Sequence, residues 1–246
     1  MQSYKELIIT GEMDRSNVLL LAPCGGAMWF LLYNALQLHN KITPKISENI
    51  CGLLAVAVMA VWPLFNDAWP IDFGRGDERN TQWQQDILLF ATAFYLYDIN
   101  HYLFSSAPIR TRHPMIIHHS MTLVIAIIYH YFEIFGYAMS ILMFLIETPV
   151  LTHKVALLLI EKVGKDSKIY RSFRMFSYIF VVVNRTFGVT YVAYGFLTNS
   201  RSSKLFKTVT VIGYVLNVFM CMTTFSALLR HLSKINPRSA EKIGKE

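Results

Sequence analysis

The sequence predicts an all-α, polytopic transmembrane bundle of about seven helices, and three observations lead there. Of its 246 residues, 54% are hydrophobic and only 16% charged, whereas a soluble domain carries about 25% charged residues. The apolar residues are gathered into long runs separated by short polar stretches. The 17 Phe and 13 Tyr suit lipid-facing and interfacial positions.

In order, the runs are Val18–Leu38, Ile50–Phe65, Trp83–Phe104, Met115–Phe132, Phe135–Leu151, Phe176–Leu197 and Val209–Leu229. A spanning helix takes roughly 17–25 residues, and six of the seven runs reach that length. Ile50–Phe65 has sixteen residues, but it is uncharged and ends in a Trp62, Trp69 pair suited to an interface. Without it the bundle has six spans. No repeat or low-complexity linker divides the chain. It therefore reads as a polar N-terminal segment (1–16), one transmembrane domain (17–232) and a basic tail (233–246). Residues 1–17 are polar and of mixed charge, so no cleaved signal peptide is expected. Cys24, Cys51 and Cys221 lie within apolar runs, odd in number and without zinc spacing, and read as packing residues.

The net charge of +7 is no sign of nucleic-acid binding, because the cations fall in loops and tails, where they orient a protein in a bilayer. With seven spans, fifteen lysines and arginines lie on one side and seven on the other. The richer side includes six between Lys154 and Arg174 and five in the tail. That side is expected to be cytosolic, with the C-terminus on it and the N-terminus opposite only if Ile50–Phe65 crosses. No phosphate-cradling glycine loop or nucleophile elbow is present. Asn184-Arg-Thr186 falls mid-span, out of reach of glycosylation, and Arg75-Gly-Asp77 carries no further signal.

Ionisable residues in a hydrocarbon layer are costly and tend to line a cavity or pathway. Span three carries Asp98 and His101, three apart and so on one helix face. Span four opens with His118-His119, and span five carries Glu147-Thr-Pro149 near its cytosolic end. At about 1.5 Å of rise per residue, Asp98, His118 and Glu147 all lie on the order of 7–10 Å inside the boundary. Asn184-Arg185 in span six lies deeper, on the order of 16 Å.

Two readings of this stratum are open. One is a polar core in which the carboxylates pair with Arg185 and histidine to fix helix packing. The other is a cavity open to the cytosol, with a histidine set against a substrate head group and His101 and Asn184 as further substrate contacts. Adjacent histidines point about 100° apart on a helix, so only one can face the centre. His113, His130 and His153 are too scattered to complete a metal ligand set, and neither a metal nor a resident cofactor is expected. Pro149 removes a backbone hydrogen bond and disfavours helix at Thr148, which predicts a break beside Glu147. Beyond it, Lys154–Lys165 is either a surface amphipathic segment or the continued end of span five.

The order of these residues resembles the TLC domain shared by translocating-chain-associating proteins, longevity-assurance ceramide synthases and a set of smaller TLC-domain proteins. It rests on Tyr95-Leu-Tyr-Asp98, His118-His119, Glu147-Thr-Pro-Val-Leu-Thr-His-Lys154 and Asn184-Arg185, with Asp67-Ala-Trp-Pro70 similar to the smaller members. In the ceramide synthases the paired histidines serve transfer of an acyl group from acyl-CoA to a sphingoid amine, and span five carries an Asp pair. Here that stretch reads Phe144-Leu-Ile-Glu-Thr-Pro-Val-Leu and is similar to the smaller members, which are linked to membrane phospholipid composition and fluidity.

The resemblance implies a multi-pass membrane protein that binds or handles lipid and contributes to lipid homeostasis. Its expected location is the endoplasmic reticulum or another endomembrane, with the plasma membrane as an alternative. A second reading is an acyl-CoA-dependent N-acyltransferase, with acyl-CoA as co-substrate only in that case. There His118 or His119 would be the general base, Asp98 or Glu147 would orient it, and Arg185 would stabilise developing charge. A third is a non-catalytic membrane scaffold.

Overall fold

The computed structural model describes residues 15–66, 71–75, 78–105 and 109–235. The polar N-terminal segment to residue 14, the motif Asp67–Pro70, Gly76 and Asp77, and the tail beyond residue 235 lie outside the described residues. The chain is helical, with α1 (Arg15–Gln37), α2 (Pro44–Asn66), α3 (Gln82–Phe104), α4 (Ile109–Phe132) and α5 (Gly136–Val163). Then come α6 (Lys168–Val183), a π turn (Asn184–Gly188), α7 (Val189–Thr198) and α8 (Lys204–Ile235). The π turn joins α6 and α7 without interruption, so seven long helices match the seven apolar runs. Among the described residues, five segments are long and apolar enough to cross a membrane: Pro44–Phe65, Arg112–Phe132, Gly136–Val163, Lys168–Thr198 and Lys204–Leu232.

The doubtful second run belongs to a full-length helix. Thr43 accepts the Ile46 amide on its hydroxyl (3.3 Å) and Pro44 occupies the first helical position, where its missing N–H and fixed φ cost nothing. The helix thus starts six residues before the apolar run, through polar residues that a count of hydrophobicity omits. Thr81 starts α3 by a capping box: its hydroxyl accepts the Gln84 amide at 3.4 Å while the Gln84 side chain accepts the Thr81 amide at 3.0 Å.

Span five departs from expectation. α5 passes through Pro149 without a break and continues to Val163, so Lys154–Lys165 begins as the helix's own final turns. The Thr152 hydroxyl folds back onto the Pro149 carbonyl (2.7 Å), and Pro149 itself is buried. α5 packs closely on α2 and α6, and the helix is continuous across the lost hydrogen bond. The helix ends at Gly164, whose φ of 80° is one that L side chains resist.

Packing is closest between α2 and α5, α3 and α4, α1 and α3, and α5 and α6. By contrast α4 touches α5 and α8 only lightly. At one end of the bundle Asn80 clamps the α4–α5 turn. Its side chain accepts the Gly136 amide (2.6 Å) and donates to the Tyr129 carbonyl (3.0 Å), while its own amide donates to the Glu133 carbonyl (2.7 Å). Phe73, in a short 3-10 turn, packs edge-on against Tyr191 and Phe196 and covers the same end.

Candidate functional site

Three helices bring the predicted polar groups together, and they divide the work of the histidine pair. Asp98 on α3 and His119 on α4 are both buried, with Nδ1 of His119 2.6 Å from Oδ2 of Asp98. The carboxylate lies off the N–H direction, so the contact is a close ion-pair approach more than an aligned hydrogen bond. Tyr95 and Tyr102 flank the His119 ring at centroid distances of 5.3 and 6.2 Å. His119 is therefore held against α3, while His118 turns away into a cavity and leaves Nδ1 without a partner.

That cavity, about 80 Å³ in size, lies between α4, α5, α7 and α8 and is largely apolar. Its polar end is lined by Tyr95, His118, Glu147, Arg185 and Asn217. From there it follows His118 to Tyr129 along α4 and Arg185 to Phe196 along α7, a length of about 16 Å at 1.5 Å per residue. Tyr95 donates its hydroxyl to the Glu147 carboxylate.

Arg185 is 4% exposed, and Glu147 is its main acidic neighbour. No direct ion pair joins the two among the described residues, and Nε and Nη1 of the guanidinium are unpartnered. Arg185 sits in the π turn, where the wider i→i+5 hydrogen bonding displaces the regular carbonyl ladder. Asn217 of α8 donates Nδ2 to the Arg185 carbonyl at 2.8 Å and so ties α8 to the π turn. Its own Oδ1 is unpartnered.

Arg185 is not deeper than Glu147, contrary to the depth read from the apolar runs. Both α5 and α6 extend to a shared turn at 164–167, so the two residues stand about 17 and 18 residues from it, level with each other. The apolar run of span five stops at Leu151 but its helix continues to Val163, which adds more residues beyond Glu147 than the earlier start of α6 at Lys168 adds before Arg185.

Two of the named residues lie elsewhere. Asn184 donates to the Phe180 carbonyl of its own helix (3.3 Å) and does not line the cavity. His101 approaches Glu48 at 3.5 Å in a separate cleft. Asn217, Gly213 and Tyr214 of α8 also line the cavity. A polar Asn217 inside the apolar run Val209–Leu229 was the signal available for them. Among the described residues no group of three His, Cys, Asp or Glu is placed to hold a metal.

The TLC domain family model matches residues 49–230, well over half of the chain. The match covers every residue of the cavity's polar end. Comparison with curated proteins and with solved structures gave no match.

Proposed function

Since the chain belongs to the TLC-domain family, a family of membrane proteins linked to lipid metabolism or handling, we propose that this cavity binds a membrane lipid and that the protein contributes in this way to lipid homeostasis. The observation that carries the reading is a buried guanidinium with two unpartnered donors at the head of an apolar slot. A buried donor left unmade costs about 1–3 kcal/mol, more when charged. An acceptor entering the slot relieves that cost. Glu147 already faces Arg185, so the polar end is close to neutral overall. It therefore suits an ester or amide carbonyl better than a free carboxylate. The apolar length beyond it suits an acyl chain, and the light contact of α4 with α5 and α8 supports entry from the bilayer. In this reading the richer cationic side faces the cytosol, in the endoplasmic reticulum or another endomembrane.

A second reading keeps acyl-CoA-dependent N-acyl transfer in play, because His118 faces the slot with Nδ1 free while Asp98 holds its neighbour. His118 would then take the proton from the attacking amine, and Arg185 would meet the developing oxyanion. Asp98 acts through His119 as a positioning residue, and Glu147 orients Tyr95 and Arg185.

Mass spectrometry of lipids retained by gently purified protein tests the main reading. Wild type is expected to carry one ester- or amide-bearing lipid above the bulk composition, and Arg185→Gln to lose it. Retained lipid that mirrors the bulk membrane in both proteins would overturn the proposal.

A further inference from the structure

A second cleft, about 900 Å³ and separate from the first cavity, opens between α1, α2 and the far end of α3. It runs from Pro23 to Tyr33 along α1, a length of about 15 Å. At its end Lys45 and Glu48 of α2 stand one turn apart. Lys45 also pairs with Glu161 near the end of α5 (2.7 Å), which places the mouth at the end of the bundle where α5 and α6 turn. In a bilayer that is headgroup level, with the apolar part of the cleft directed inward.

The polar groups at the mouth are incompletely used. Among the described residues Glu48 pairs with His101, at 3.5 Å, a distance beyond a good hydrogen bond. Lys45 has three ammonium donors and gives one to Glu161. Tyr97 is 4% exposed, and its hydroxyl is unpartnered apart from the nearby Cys51 thiol, a weak hydrogen-bonding group. The Tyr33, Tyr97 and His101 rings form one cluster with centroids 5.2–6.4 Å apart, and Phe30 continues the wall, 57% exposed.

We propose that this cleft seats a zwitterionic phospholipid, its ammonium against Glu48 and the Tyr33 ring, its phosphate against Lys45. A carboxylate beside aromatic faces attracts an ammonium by charge and by the ring quadrupole. The same carboxylate repels a headgroup whose only charge is negative. One cation and one anion a helical turn apart match the two opposite charges of a zwitterion, and the groove toward Pro23 takes an acyl chain. The site shares no lining residue with the first cavity.

The test uses full-length protein in detergent and counts retained lipid by native mass spectrometry. Phosphatidylcholine and phosphatidylglycerol with identical acyl chains are supplied, to wild type and to a Gly213→Leu background in which the first cavity is obstructed. Phosphatidylcholine is expected to be retained roughly fivefold better in both, within the range of such cation recognition. Glu48→Gln should abolish the preference, and Phe30→Leu, at an exposed wall position that tolerates change, should reduce it. Millimolar free choline should not displace the lipid. Equal retention of the two lipids, a preference that survives both substitutions, or one lost in Gly213→Leu would overturn the proposal. Displacement by choline would also overturn it, since the site would then take a soluble amine.

Discussion

Gly213 offers a way to occupy the first cavity without touching its polar groups. It lies within α8, lines the cavity, and a Cβ built on it meets nothing within 4 Å. Gly213→Ala therefore gains helix propensity, about 0.8–1.0 kcal/mol, with no steric cost to set against it. Thermal unfolding in detergent should rise by about 2–4 °C, the shift expected for 1 kcal/mol in a chain of this size, with lipid retention unchanged. Gly213→Leu gains similar propensity but extends an isobutyl group into the slot. If an acyl chain occupies that space, the crowding costs the bound state about 1–3 kcal/mol, or roughly 5–150-fold in retention. The pair separates stability from occupancy, since both variants stabilise the helix and only one fills the slot. Delipidated protein is the right sample for the melting comparison, and gently purified protein for the lipid count. A Gly213→Leu protein that keeps the wild-type lipid complement refutes the assignment of this cavity to lipid.

The remaining expectations address the polar groups and the topology. Arg185→Met leaves Glu147 buried without its counter-charge and should cost about 3–5 kcal/mol; the Arg185→Met, Glu147→Met double variant should cost less than the sum of the singles in denaturant titrations, and strict additivity would show the two are uncoupled. His119→Ala orphans buried Asp98 and should lower the melting temperature, whereas His118→Ala should leave it nearly unchanged; equal losses would contradict the division between them. If the acyltransferase reading holds, folded His118→Ala should lose about 10²–10⁴-fold in amine acylation from acyl-CoA. Asn80→Ala strips partners from the Gly136 amide and the Tyr129 carbonyl, at about 1–3 kcal/mol each, and an unchanged melting temperature would remove it as the clamp of the α4–α5 turn. In sealed vesicles a C-terminal tag should be digested by added protease and an N-terminal tag protected, and a protected C-terminal tag would reverse the orientation.

Hydrophobic runs were enough to locate all seven long helices, because lipid-facing and core positions are both apolar. They were a poor guide to helix ends. Polar turns at Pro44–Asn49, Lys154–Val163 and Lys168–Met175 continue the helices beyond the apolar layer, and the depth misjudged for Arg185 follows from them. Pro149 breaks nothing: α5 is continuous through it and packs closely on α2 and α6, a tertiary setting absent from any local rule. The irregular backbone lies instead on the facing helix, as the π turn at Asn184–Gly188. No proline marks it. Its Arg185 carbonyl is met by Asn217, thirty-two residues away, and a pairing over that separation cannot be read from either segment alone. That acid, histidine and arginine interrupt the apolar runs was legible, but that Arg185 stands level with Glu147 was not, because the helix ends were unknown. Which histidine faces the slot was not, because neighbours 100° apart on a helix are equivalent until the rotation of α4 is known.

That rotation bears on the contest between scaffold and ligand site. A polar core that exists only to fix packing lowers its free energy by closing its own hydrogen bonds, since each buried donor left open costs about 1–3 kcal/mol. The Asp98–His119 pair comes near to that, with two helices, one 2.6 Å contact and aromatic rings on either side, although Nδ1 makes no aligned hydrogen bond. The Arg185 end does the opposite. Glu147 is bound to Tyr95 without closing on the guanidinium, and the Asn217 amide is spent on a backbone carbonyl. His118 and two guanidinium nitrogens then face a slot whose walls are otherwise apolar. Guanidinium donors left open beside an acid, at the polar end of an apolar slot, are what the proposed lipid reading requires and what a scaffold alone does not need.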